Sequence, residues 1–272
     1  MNAEIIYNHI AIPTIPFIVS LAWGMFLFIL LAVYLSRNRS YPRWAKLTSA
    51  CLGWILLVYL TLTLGLRWGL SGQVPFAGRY SVMMLMALFS AVAVCILWKK
   101  HPLVLPMGFL LSGFTMLLAA RSGDGTQITH LMPVLRSPLL SIHVLSMMLS
   151  YTLLGIAAFN GIMGLIVPKD ASRRLRDISL VILYPAVFLL VFGTFIGAVW
   201  ANISWGNYWG WDPKETWALV TFMVYSFALH GRILKPFRNS RFFHGFCIAA
   251  FVCVLITYFG VNLILGGIHS YN

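Results

Sequence analysis

The sequence predicts an all-α integral membrane protein with about eight transmembrane helices and both termini on the outer, periplasmic or extracytoplasmic, side. Three observations carry that expectation. Of 272 residues, 60% are apolar. Only 19 Lys+Arg and 6 Asp+Glu are present, against roughly a quarter charged residues in soluble domains. Those few charges leave uncharged runs of about 20 residues, the length a helix needs to cross about 30 Å of hydrocarbon. A mean hydropathy of +0.87 and 15% aromatic residues exclude a disordered chain. They also exclude a nucleic-acid partner despite a pI near 10.0. In a bilayer, a net charge of +13 bears first on sidedness.

Charged residues bound each span in turn. The uncharged runs lie between Glu4 and Arg37, Lys46 and Arg67, Arg79 and Lys99, Lys100 and Arg121, Arg136 and Lys169, Asp177 and Asp212, Glu215 and Arg232, and beyond Arg241. They place helices at 15–36, 47–66, 81–98, 103–120, 141–167, 178–200, 215–233 and 245–266. An even number of crossings sorts the loops into two sets. One holds 14 Lys+Arg, clustered at 37–46, 99–100, 169–176 and 232–241; the other holds only Arg67, Arg79, Arg121, Arg136 and Lys214. The rich set is cytoplasmic by the positive-inside rule. Residues 1–16 carry no Lys or Arg, and the apolar run after them is too long for a signal-peptide core, so no cleaved leader is expected. With no internal repeat or linker, residues 1–272 read as a single polytopic membrane domain.

Cys51, Cys95, Cys247 and Cys253 lie in apolar runs without CxxC or CxxCH spacing and read as packing residues.

Chemistry concentrates at 200–217, where WANISWGNYWGWDPKETW holds five of the ten tryptophans. An interfacial aromatic belt accounts for one or two of them. Glycines alternating with indoles ask for more, because they let backbone lie close to a flat ligand while the rings wall it in. A large planar apolar molecule with polar edges fits. Asp212-Pro213-Lys214-Glu215 also reads as a helix start, with Asp212 as N-cap, Pro213 at N1 and Glu215 at N3 of a capping box. Both acids therefore have a structural reading beside a ligand-binding one. Lys214 faces either a ligand carboxylate or water.

WGNYWGWDPKE is similar to the tryptophan-rich WWD motif of haem-handling membrane proteins. From about residue 130 onward, the chain resembles the CcsA (ResC) subunit family of System II cytochrome c synthases. Its first hundred residues match that family mainly in hydropathy. Where the family often has a tyrosine followed by an acid, this chain has Tyr80-Ser81.

The topology sorts the seven histidines by depth, and the resemblance adds roles for His143, His269 and His230. His143 follows Ser137-Pro138, an N-cap and N1 pair, so it sits about a turn and a half below the outer surface. His269 lies at the outer end of the last span, on the face of Tyr258 and Asn262. At equal depth the two imidazoles can ligate one iron, and both match the family's external haem-ligand histidines; a hydrogen bond to a neighbouring helix is the plain alternative for either. His230 lies about 25 Å further in along its helix from Pro213. It matches a second, transmembrane haem site whose other ligand the CcsB partner supplies. His101 and His244 are expected to meet water and headgroups at the inner face, and His9 and His130 to be outward spectators. Arg67, Arg79, Arg121, Arg136 and Lys214 are candidates for haem propionates or lipid headgroups.

The resemblance implies a haem-handling subunit of a cytochrome c synthase (haem lyase) in the bacterial plasma membrane, active with a CcsB-type membrane partner. Haem b is its bound substrate. Trp205, Trp209, Trp211, Asp212 and Lys214 flank the ring, His143 and His269 hold the outer iron, and an apocytochrome c CxxCH segment adds its thiols to the vinyl groups. No catalytic residue beyond the haem ligands is assigned. A haem exporter or chaperone of the CcmC type is the alternative, and a haem-free transporter or quinol-interacting subunit the third reading.

Overall fold

The computed structural model describes residues 7–8, 10–37, 39, 41–76, 78–122, 136–230 and 233–265, the stretch 261–265 by backbone alone. Among these residues every regular element is helical. The helices are α1 (Thr14–Ser36), α2 (Arg43–Ser71), α3 (Arg79–Leu97), α4 (Leu105–Arg121), α5 (Pro138–Ile166), α6 (Lys169–Trp205), α7 (Pro213–Leu229) and α8 (Ser240–Leu255). A 3₁₀ turn, Pro102–Val104, leads into α4, and a π-helical stretch, Ile256–Leu265, continues α8. Among the described residues seven helices, all but α7, are long and apolar enough to cross a bilayer, counting the 3₁₀ turn with α4 and residues to Gly260 with α8. The protein is a multi-pass, all-α membrane protein.

Several helix ends differ from the expected spans for one reason: a charge bounds a span, not a helix. α6 begins at Lys169 rather than 178, because Ala171, Ser172 and Leu175 give its charged first turns a buried face. α2 likewise runs past Lys46 and Arg67 at its two ends. The segment 215–233 stops at Leu229, leaving a helix of 17 residues. That is a rise of about 26 Å, short of a full crossing.

Contacts divide the chain into two compact units, Met1–Arg136 and Ser137–Asn272. In the first, α4 packs on α1 and α3, and α2 packs on α3. Glycines bring α1 and α4 together reciprocally. Gly24 faces Leu110, Gly113 faces Leu21, and a Cβ at either glycine would come within 2.9 Å of the opposite backbone nitrogen. Such close approach is how membrane helices gain contact where no hydrophobic drive separates helix from lipid. Arg67, expected to face outward, is buried at the end of α2. Its guanidinium donates to the Tyr7 hydroxyl and lies over the Tyr7 and Tyr80 rings, 5.9 and 5.0 Å from their centroids. The two ring faces and the hydroxyl offset part of the cost of burying the cation.

In the second unit α5 and α6 are antiparallel. Early α5 meets late α6 through His143 and Gly193, and late α5 meets early α6 through Asn160 and Ser179. α8 packs on α5, and α7 on α6 and α8. His244 departs from expectation: it is fully buried rather than in contact with water and headgroups. Its ring fills the notch left by Gly164 of α5, and Nε2 donates to the Ser172 carbonyl of α6 at 3.0 Å. The four cysteines are unpaired thiols; Cys95 and Cys247 are buried as packing residues, Cys253 is half-buried, and Cys51 is exposed rather than packed.

A methyl group at Gly164 would overlap the His244 ring. Gly164→Ala is expected to cost about 1–3 kcal/mol, the usual range for overpacking. Thermal unfolding of the detergent-solubilised protein measures it, and Gly65→Ala, with no atom within 4 Å of the added carbon, is the control.

Candidate functional site

Ser137 stands extended at the N-cap position of α5 before Pro138 at N1, as the sequence predicts, but its side chain makes no capping hydrogen bond among the described residues. His143 lies six residues in, about 9 Å along the axis. Its Nδ1 is 2.7 Å from the Gly193 carbonyl oxygen of α6. A carbonyl only accepts, so Nδ1 carries the proton and Nε2 the lone pair. That is the tautomer in which a metal-ligating histidine is usually held.

α6 ends at Trp205, where Gly206 takes the left-handed conformation (φ 77°) that turns the chain out of the helix. Trp200, one turn before the end, is buried and meets Trp205 edge to face at 4.8 Å. Its indole N–H has no hydrogen-bond partner among the described residues. After Gly206, Tyr208 and Trp211 are exposed, Trp209 is half-buried, and Trp209 and Trp211 meet edge to face at 5.9 Å. Trp211 has φ 56°, a left-handed backbone that a bulky residue adopts only when its surroundings enforce it.

Glu215 does the enforcing. Its Oε2 accepts the amides of Gly210 (2.8 Å) and Asp212 (3.2 Å), on either side of Trp211. Asp212 in turn accepts the Lys214 amide at 2.9 Å, completing the capping box. The structure thus gives both acids to loop and helix start, and Asp212 is buried. In the first turn of α7, burial pushes the Lys214 amine down to about 8 while the Asp212 charge opposes the shift.

His230 is the C-cap of α7, about 24 Å along the axis from Lys214. It is exposed, with Nδ1 2.6 Å from the Ser226 carbonyl, so Nε2 again carries the lone pair. It lines an apolar groove of about 320 Å³ with Met223, Ser226, Phe227, Ile233 and Leu234.

His143 meets α6 at Gly193 and Gly197, 8 to 12 residues or about 12–18 Å along the axis before the helix ends at Trp205, and His230 marks the other end of α7. His269, His9 and His130 lie outside the described residues. His101 is half-buried, and Arg79, Arg121 and Arg136 are exposed. Among the described residues no three His, Cys, Asp or Glu side chains converge as a protein-built metal cage requires. A haem iron, held by its porphyrin, asks only for axial ligands. The imidazoles, the indole walls, the Trp200 N–H and the Lys214 amine suit such a molecule.

Residues 76–269 match the family model for cytochrome c assembly proteins. The chain belongs to that family. It is 38% identical over 231 residues to protein NrfI of Wolinella succinogenes, covering 81% of this chain and 26% of the relative. The chain thus spans about a quarter of NrfI. It is 33% identical to the cytochrome c biogenesis protein CcsA of Guillardia theta, over 79% of this chain and 82% of the relative. To CcsA of Trieres chinensis it is 30% identical, over 93% and 96%. Family membership assigns this assembly protein a role in cytochrome c maturation.

Glu215→Ala removes both bonds that hold Trp211, each worth about 1 kcal/mol. The loop should loosen while α6 persists, seen as a weaker near-UV circular dichroism band and stronger acrylamide quenching of tryptophan fluorescence. Glu215→Gln, which keeps an accepting oxygen, should stay close to wild type.

Proposed function

We propose that this chain is the haem-handling subunit of a cytochrome c synthase of CcsA type, taking haem b as bound substrate and presenting it for covalent attachment to apocytochrome c. The observation that carries the reading is His143, whose Nδ1 is tied to the Gly193 carbonyl so that Nε2 bears the lone pair, in the half of α6 that leads to the tryptophan loop.

In this reading His143 and His269 hold the outer iron while Trp205, Trp209 and Trp211 wall the ring. Asp212 keeps the Lys214 backbone in its first-turn position, and the Lys214 ammonium meets a propionate. The vinyl edge stays open to a CxxCH segment. Each thiol adds across one vinyl group, forming a C–S and a C–H bond without net oxidation. The protein contributes orientation and control of the iron, and the reacting groups belong to haem and apocytochrome. His230, beside its apolar groove, ligates a second haem at the inner side, which supplies the outer site through the membrane. The positive-inside rule puts the tryptophan loop on the periplasmic face of a bacterial plasma membrane. A CcsB-type membrane partner completes the inner ligand set and the synthase. The names of the CcsA relatives favour this reading over a CcmC-type exporter, which hands haem on without forming a thioether.

Absorption spectra of the purified wild type, His143→Ala, His269→Ala and His230→Ala test the ligands. Each outer substitution should weaken one haem site and be partly rescued by added imidazole, and His230→Ala should deplete the other. Equal haem content and maturation activity in all four overturn the assignment. Covalent haemylation of coexpressed apocytochrome by this chain with a CcsB-type partner separates synthase from exporter.

Lys214 adds a pH signature. Its amine is held near 8 without ligand, and a bound carboxylate stabilises the ammonium and raises it. Haem affinity should be full below pH 8 and fall as pH rises above it, by about tenfold for each unit by which the ligand raises the amine. Lys214→Gln should flatten that profile in a haem titration.

A further inference from the structure

Two α6 residues with no side chain govern where the His143 ring can lie. Gly193 presents its carbonyl to Nδ1 at 2.7 Å. One turn on, a Cβ at Gly197 would lie 2.6 Å from Nδ1, 2.8 Å from Cε1 and 3.3 Å from Cγ of the same ring. Only glycine at 197 admits the imidazole in this pose. A Cβ at Gly193 would approach Met147 Sδ at 2.9 Å and Ser146 Cβ at 3.1 Å, so its absence lets α5 come near enough for the bond to form.

Glycines four apart commonly serve helix packing alone, and His244 over Gly164 is that case in the same unit. There the ring is fully buried and bonded through Nε2. His143 is only part-buried and bonded through Nδ1. The same notch device thus turns opposite nitrogens to the neighbouring backbone carbonyl, Nε2 at His244 and Nδ1 at His143.

We propose that Gly193 and Gly197 are positioning residues for the outer iron ligand: the carbonyl of one sets the His143 tautomer, and the missing side chain of the other seats the ring. This inference rests on the function proposed above. A methyl group at 197 would evict the ring from its seat and break the bond that orients it. Losing an outer-shell partner of a metal-ligating histidine costs about 10–100-fold in affinity.

The test uses the full chain in detergent, titrated with haem and read by Soret position and affinity, with and without imidazole. Gly197→Ala should bind haem at least about tenfold more weakly than wild type, within the range set by such partners. His143→Gly should lose the outer site and recover it with imidazole, which enters the vacated seat. The double variant His143→Gly/Gly197→Ala, relieved of the clash and so folded even if Gly197→Ala is not, should fail to recover because the methyl group fills that seat. Equal imidazole rescue in the double variant, or a wild-type Soret band and affinity in Gly197→Ala, overturns the seat while leaving His143 as ligand. Undiminished haem binding in His143→Gly overturns the functional reading itself.

Discussion

Without side chains at positions 193 and 197, α6 lets α5 approach until an imidazole touches its backbone, and the arrangement of the second unit's candidate site follows from that approach. The same contact joins two antiparallel helices and selects one nitrogen of His143. Packing and chemistry are therefore not separable here. A larger residue at either glycine would act on both, through the distance between two helix axes.

A second constraint is electrostatic and local. The Glu215 carboxylate gathers two amides around a residue whose backbone would otherwise relax, and Asp212 closes the helix start beside it. Two of the six acids of the whole chain are thus committed to a single loop. With both used by backbone amides, Lys214 is the side-chain charge of the DPKE segment that remains suited to an anionic ligand. Within the motif the two acids hold the backbone's shape, and Lys214 is the one cationic side chain.

The helices were legible in the sequence because few charges and long apolar runs leave no other way to satisfy backbone groups in lipid. Their ends were less so. Lys169–Asp177 is charged yet helical, since Ala171, Ser172 and Leu175 still find a face to bury. The capping box was legible outright from the order Asp212, Pro213, Glu215. The fates of Arg67 and His244 were not, because each is decided by partners far along the chain: Tyr7 and Tyr80 for one, Gly164 and Ser172 for the other. Gly193 and Gly197 form a small-xxx-small pair visible in the sequence, but nothing local tells that the opposite helix brings a histidine to it. Trp200 sits in the most conspicuous segment of the chain and still gave no hint that it lies beneath the loop rather than on it.

The 17-residue α7 carries a consequence for the membrane around it. A helix about 26 Å long, if it spans, is a few ångströms shorter than the hydrocarbon slab. Lipid meets such a mismatch by compressing locally. The bilayer would then be pinched beside this helix, drawing both of its tips toward the acyl boundary. Any cargo passing along α7 from the His230 groove to the tryptophan loop would then cross less hydrocarbon than the unperturbed slab holds.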